Sequence, residues 1–142
     1  MRNMRIVVAA KPDAEQPWVA QAAAGLAKQT GASVAVVSVD QVELERLAAA
    51  PRSVFTQAAE QAAATMARHL GEAGVEASHS VVPGRPVQGI LDFAEQQKAD
   101  LIVVGATTRP SVAERLLGSV PLDLIKKSTR PVVVITHPAH SR

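Results

Sequence analysis

Residues 101–136 read LIVVGATTRPSVAERLLGSVPLDLIKKSTRPVVVIT, and the fold class follows from them. Residues 101–104 and 131–136 are short apolar runs dominated by Val and Ile, the composition of strands covered on both faces. Between them, residues 120–127 have the spacing of a short helix. It ends in Lys126-Lys127, whose charge suits a helix C-terminus. Strands joined through a helix run parallel, because parallel neighbours need a long crossover.

The same rhythm continues toward the N-terminus. Residues 6–10 form an apolar first strand. A helix over 17–29 follows, with Asp13 able to cap it, Pro17 in its first turn and Gly31 as its stop. Residues 33–39, SVAVVSV, are a second strand. Residues 40–51 connect onward with helical tendency until Pro51. Ser53 can cap a long helix over 54–70, with Gly71 and Gly74 ending it. Its alanines 58, 59, 62, 63 and 64 form a close-packing face. Residues 75–82 alternate weakly, which predicts a less buried strand. Pro83-Gly84 turns the chain, Pro86 opens a helix to 97, and residues 137–142 are a loose tail.

Strands alternating with helices predict an α/β fold, a five-stranded parallel sheet with helices on both faces. One domain over residues 1–142 accommodates it. Ligands of such sheets sit beyond the strand C-termini, where the winding reverses. Unusual residues after the first and fourth strands place that reversal between them.

Composition removes several function classes. Aromatic residues make up 2% of the chain, so base stacking has almost no platform. Fifteen basic residues stand against thirteen acidic ones, net +2, with no basic run to track a phosphate backbone. Nucleic acid is therefore not an expected partner. There is no Cys, which excludes disulfides and thiolate metal sites. No apolar run approaches the ~20 residues of a membrane span, and the N-terminal apolar run is too short for a secretory leader. The expected location is the cytoplasm, without membrane insertion.

The chemistry concentrates after the fourth strand. Gly105 allows close approach to its backbone or a positive φ. Gly118-Ser119 opens a helix whose free N–H groups and dipole attract anions, phosphate above all. The same residues also serve as plain punctuation: a strand end, a turn and a capping Ser119. No nucleophile elbow, Walker loop or paired carboxylates occur. His137 and His140 lie in the tail without a third ligand nearby, His69 falls at a helix end and His79 on the weak strand, so no metal site or catalytic histidine is assigned. Asp92 and Glu95 read as a solvated helix face.

The stretch resembles the nucleotide-binding signature of the universal stress protein family, a Gly, two residues, a Gly, nine residues, then Gly-Ser/Thr. Gly105 is its first position, residues 109–117 are the nine, and Gly118-Ser119 is its close. The resemblance covers nearly the whole chain; GRPVQGILDFAEQQKADLIVVG and RLLGSVPLDLIKKSTRPVVVI are similar to the family's third helix and fourth strand, and to its closing helix and strand. It implies a Rossmann-like sheet in the order 3-2-1-4-5 and a homodimer through the last strand, Val132–Ile135. It also implies a binding module for ATP or another adenine nucleotide, with Mg2+ accompanying ATP, that acts in stress response or regulation. The residues it implicates are Ala9, Lys11, Val39, Gly105, Thr107, Thr108, Gly118, Ser119 and Val120. Amides of 105–108 and 119–120 would hold phosphates, and residues 40–53 would form a lid.

Two positions depart from the family pattern. Thr108 stands at the second glycine; its hydroxyl and that of Thr107 can donate to phosphate instead. Lys11 stands where the family has an Asp that contacts the nucleoside. A cation accepts no hydrogen bond from a ribose hydroxyl, so Lys11 is either a point charge for phosphate or a solvated surface residue, and Asp13 lies two residues on. Arg85 and Arg109 are open to the same two readings. With no general base in view, the chain is not read as an enzyme, slow ATP hydrolysis aside. The alternative is a dimeric interaction protein that binds no nucleotide and keeps the signature as fold geometry.

Overall fold

The computed structural model of the chain describes residues 3–12, 14–41, 52–106 and 119–138. Its elements run β1 (Arg5–Ala9), α1 (Pro17–Thr30), β2 (Ser33–Asp40), α2 (Arg52–Glu72), β3 (Ala77–Pro83), α3 (Pro86–Gln97), β4 (Leu101–Gly105), α4 (Ser119–Lys127) and β5 (Val132–Ile135). All neighbouring strands pair in parallel, in the order β3-β2-β1-β4-β5. The winding reverses between β1 and β4, as the loops after these strands predict.

Side-chain alternation assigns each strand residue to a face. Ile6, Val8, Val34, Val36 and Val103 pack under α1 and α2, against Val19, Ala23, Ala27, Ala63, Met66 and Leu70. Val7, Ala9, Val37, Val39, Ile102 and Val104 pack under α3 and α4, against Ile90, Phe93, Ala94 and Leu124. The ladder is tied at its N-terminal end by Arg5, whose N–H donates to the Asp100 carboxylate at 2.8 Å.

Several boundaries differ from the sequence expectation. α1 starts at Pro17 as expected, but its N-cap is Gln16, whose side chain makes no capping hydrogen bond; Asp13 lies outside the described residues. Gly31 ends α1 in the left-handed region at φ +70, its N–H donating to the Ala27 carbonyl. α2 begins at Arg52, so Ser53 lies within the helix rather than before it, and the helix runs through Gly71 to Glu72. One glycine costs a helix only about 1 kcal/mol, less than the packing of Leu70 returns. The stop falls instead at Gly74, φ +91. Ala59, Ala62 and Ala63 face the interior, whereas Ala64 is exposed because it lies off that stripe.

β3 is indeed the least covered strand, with Ser78, His79 and Ser80 exposed. α3 has the expected bounds, but it ends on Lys98 at φ +53, the single non-glycine positive φ among the described residues. Ser119 is the first residue of α4, not its cap. The tail is not loose at its start: the His137 ring meets Trp18 edge-on, centroids 4.3 Å apart. His140 lies outside the described residues. The helix-face carboxylates are engaged as well, Asp92 by the Gln88 amide at 2.8 Å and Glu95 by Arg130 at 2.7 Å.

Candidate functional site

At the reversal between β1 and β4, the C-terminal rim of the sheet opens into a cavity of about 550 Å³. Small-molecule pockets span roughly 300–1,000 Å³. Its floor comes from strand ends: Ala9 of β1 with Ala10 just beyond it, Val37 and Val39 from β2, Val104 and Gly105 from β4. Its walls are the segment Lys11, Pro12, Ala14 and Gln16 after β1, Pro86 and Ile90 of α3, and Ser119, Val120 and Pro121 of α4.

The structure thus brings Ala9, Lys11, Val39, Gly105, Ser119 and Val120 to one place. Thr107, Thr108 and Gly118 lie outside the described residues, as do Arg109, Asp13 and most of the expected lid, residues 42–51. Arg85 is the N-cap of α3, next to Pro86, but does not itself line the cavity.

The cavity has two chemically different ends. Val37, Val39 and Ile90 make an apolar end, shaped by the tight seat of α3 on β2. A Cβ on Gly89 would come within 2.9 Å of Val39 Cγ2, so only glycine lets the helix lie this close. The other end is polar. Lys11 is exposed and brings a positive charge to the cavity lining. The start of α4 lines this end through Ser119 and Val120. Pro121, third in that helix, has no N–H and fixes φ there.

Two features of this rim differ from the sequence expectation. Gly105 does not adopt a positive φ. Its missing Cβ is required by packing instead: a Cβ would lie 2.7 Å from Gln16 Nε2 and 2.8 Å from Val19 Cγ2. Val19 is fully buried and stiff, so it has nowhere to retreat. The Ala106 N–H donates to the Ile135 carbonyl at 2.9 Å. It is committed to the sheet and is not a free amide for an anion. Among the described residues, Ser119 and Val120 of α4 also line this rim.

The end of β1 is similarly committed. The Ala10 N–H donates to Val37 O at 2.8 Å, and its carbonyl accepts from the Ser38 hydroxyl at 2.9 Å. Buried Asp40, next along β2, accepts from the Thr56 hydroxyl at 2.8 Å and its carbonyl takes the Gly84 N–H at 3.0 Å. These bonds make the floor of the site rigid scaffold.

Sequence reasoning missed Val37, Ile90, Pro86 and Gln16. Val37 was accessible, since it sits two residues before Val39 on the same strand face. Gln16 was not, because its burial depends on how closely α1 approaches Gly105. Among the described residues the cavity lining holds no carboxylate or imidazole. His69 lies elsewhere, between Glu15 at 2.8 Å and Glu72 at 3.2 Å. No cluster of three or more possible metal ligands occurs among the described residues, and no helix among them is long and apolar enough to cross a membrane.

Comparison with known proteins places this geometry. A sequence model of the Universal stress protein family matches residues 2–136. A universal stress protein of Methanocaldococcus jannaschii is 42% identical over 67 residues, 47% of this chain and 39% of that protein. A second from the same organism is 31% identical over 84 residues, 59% of this chain and 52% of the relative. The aligned region thus spans about half or less of these curated relatives. Among solved structures, a universal stress protein from Archaeoglobus fulgidus superposes with a TM-score of 0.79 at 25% identity, covering 95% of this chain and all of that one. A structure of the universal stress protein from the same organism, described as a complex with dAMP, superposes at 0.74 and 25% identity, covering 96% and 100%.

Proposed function

This chain belongs to the universal stress protein family, and on that premise we propose that residues 1–142 act as one adenine-nucleotide-binding module, for ATP or another adenine nucleotide, serving stress response or regulation. The observation that carries the reading is the two-ended cavity at the reversal point. Val37, Val39 and Ile90 offer an apolar seat for a flat base, and Lys11 with the first turn of α4 offers charge and N–H donors for phosphate. A solved structure of the same fold is described as a complex with dAMP, which supports an adenine nucleotide as the ligand class.

The module binds and reports rather than catalyses. Magnesium would arrive on the phosphates of ATP. Edge strand β5 is apolar and half-buried in the single chain. A second copy pairing along Val132–Ile135 would satisfy that edge, and light scattering at micromolar concentration should report a dimer.

The test is the nucleotide content of purified protein, followed by thermal melts with ATP, ADP and AMP. We expect adenine nucleotide released on denaturation, or a melting temperature that climbs with ligand; saturation at ~100 Kd corresponds to about 2.7 kcal/mol. A clean apo protein whose melting does not respond at millimolar nucleotide would support the second reading, a dimeric interaction protein without nucleotide. Two observations favour that second reading: Lys11 in place of an acceptor, and the Ala106 amide bound to Ile135.

A further inference from the structure

Resting on the nucleotide reading, the geometry points to Gln16 as the residue that recognises a sugar hydroxyl of the ligand and sets its preference for ribose over deoxyribose. Gln16 is 6% exposed, one of three buried polar residues among those described, and lines the cavity. The other two, Ser38 and Asp40, have their hydrogen bonds within the scaffold. Gln16 sits at the N-cap of α1 yet makes no capping bond, and its amide has no partner among the described residues. The amide atoms are not sealed in the interior, so they are open to a ligand in the cavity.

Position selects which part of the ligand. Gln16 Nε2 and Cδ lie against Gly105, at 2.7 and 3.2 Å from where a Cβ would be. Gly105 ends β4, which neighbours β1, and β1 separates it from the apolar end on β2. The anion donors lie on α4, beyond β4. Gln16 is therefore between the base end and the phosphate end, where a nucleotide carries its sugar.

Chemistry agrees with position. A sugar hydroxyl both donates and accepts, and so does a carboxamide. Lys11 and the α4 amides only donate. Among the described lining side chains, acceptors are Gln16, Gln41 and Ser119, and Gln16 alone is buried. Phosphate needs charge and donors, which the other end supplies; a neutral amide adds little for it.

Calorimetric titration of AMP, 2′-deoxy-AMP and 3′-deoxy-AMP into the full chain, Gln16→Met and Gln16→Glu tests this. Methionine keeps the length and apolar volume, and a melt of each variant reports folding. The wild type should prefer AMP over at least one deoxy analogue. Gln16→Met should lower AMP affinity about three- to tenfold, the worth of one neutral hydrogen bond, and leave the disfavoured analogue unchanged. Gln16→Glu, still an acceptor, should keep AMP binding. Equal weakening of all three ligands by Gln16→Met, or no ribose preference in the wild type, overturns the assignment while nucleotide binding stands. Strong loss of all three in Gln16→Glu overturns it in favour of a phosphate contact. Absence of binding by the wild type removes the nucleotide reading itself and this assignment with it.

Discussion

The two faces of the sheet are built from alternate residues of the same strands, yet one is closed and the other opens at its rim. On the closed face, α1 and α2 are 14 and 21 residues long. Their inward stripes are rich in alanine: Ala20, Ala23, Ala24 and Ala27 on α1, Ala62 and Ala63 on α2. Small side chains let the helices lie close, and Leu70 and Met66 fill what is left. On the other face, α3 and α4 are 12 and 9 residues long and carry the larger Ile90, Phe93 and Leu124. These helices are shorter, and although Gly89 seats α3 closely on β2, they leave the strand C-termini uncovered, so that the cavity is that uncovered floor. A binding site here is packing left incomplete at one rim, with the glycines at 89 and 105 setting how far the neighbouring elements close in.

Truncating one aliphatic side chain on each face breaks or sharpens this contrast most strongly. Leu70 is fully buried among neighbours that cannot collapse, so Leu70→Ala should cost about 3–5 kcal/mol, transfer plus cavity. Ile90 is buried too, at 5% exposure, but one side of it borders the existing cavity. Ile90→Ala enlarges an opening that water can enter rather than creating a dry void. It should cost about 2 kcal/mol, at the bottom of the same range. Urea unfolding reads both as a lower midpoint at unchanged slope. Equal losses would mean that the two faces are equally tight.

The next effect tests the boundary between the faces. Gly105→Ala puts a methyl against Val19 on the closed side and Gln16 on the open side. Gln16 can swing its amide away, whereas Val19 cannot move without disturbing α1. We expect a loss of about 1–3 kcal/mol in stability, the usual cost of overpacking. Relief by a second change, Val19→Ala, would show that the closed face supplies the clash. A stable Gly105→Ala protein with unchanged ligand affinity would contradict the packing account.

This contrast also explains what could be read in advance. The parallel sheet and the reversal between β1 and β4 follow from Val/Ile runs separated by helices and from the unusual residues after those two strands, whereas the order 3-2-1-4-5 came with the family resemblance. Ala9 and Val39 came with the family resemblance, whereas Gly105 and Ser119 were legible as rim residues because they end a strand and open a helix. The reason for Gly105 was not, since it lies in a contact with residues nearly ninety positions earlier in the chain. Gln16 was hidden in the same way: a polar residue before Pro17 reads as an exposed cap until α1 is seen to lean on β4. The commitment of the Ala106 amide to Ile135 needed the β4–β5 register. The helix end misread at Gly71 reflects packing of Leu70 overriding a local stop signal. Thr107, Thr108 and Gly118 fall outside the described residues and stay as the sequence presents them.

The smallest effect concerns how the closed face seals its own rim. Trp18, the chain's single tryptophan, sits at the start of α1, and the His137 ring after β5 meets it edge-on at 70°. An aromatic pair of this geometry is worth about 0.5–1.5 kcal/mol. Against that gain, Trp18 Nε1 is buried with no partner among the described residues, which costs free energy of the same order. Removing the ring in His137→Ala loses the first term and, by admitting water to Nε1, relieves part of the second. The net change in stability should therefore stay below about 1 kcal/mol, while the fluorescence of the lone tryptophan shifts to longer wavelength as its indole becomes wet. A large loss of stability without a spectral shift would mean that His137 holds the end of the chain through other contacts, and that the closed rim does not depend on this ring pair.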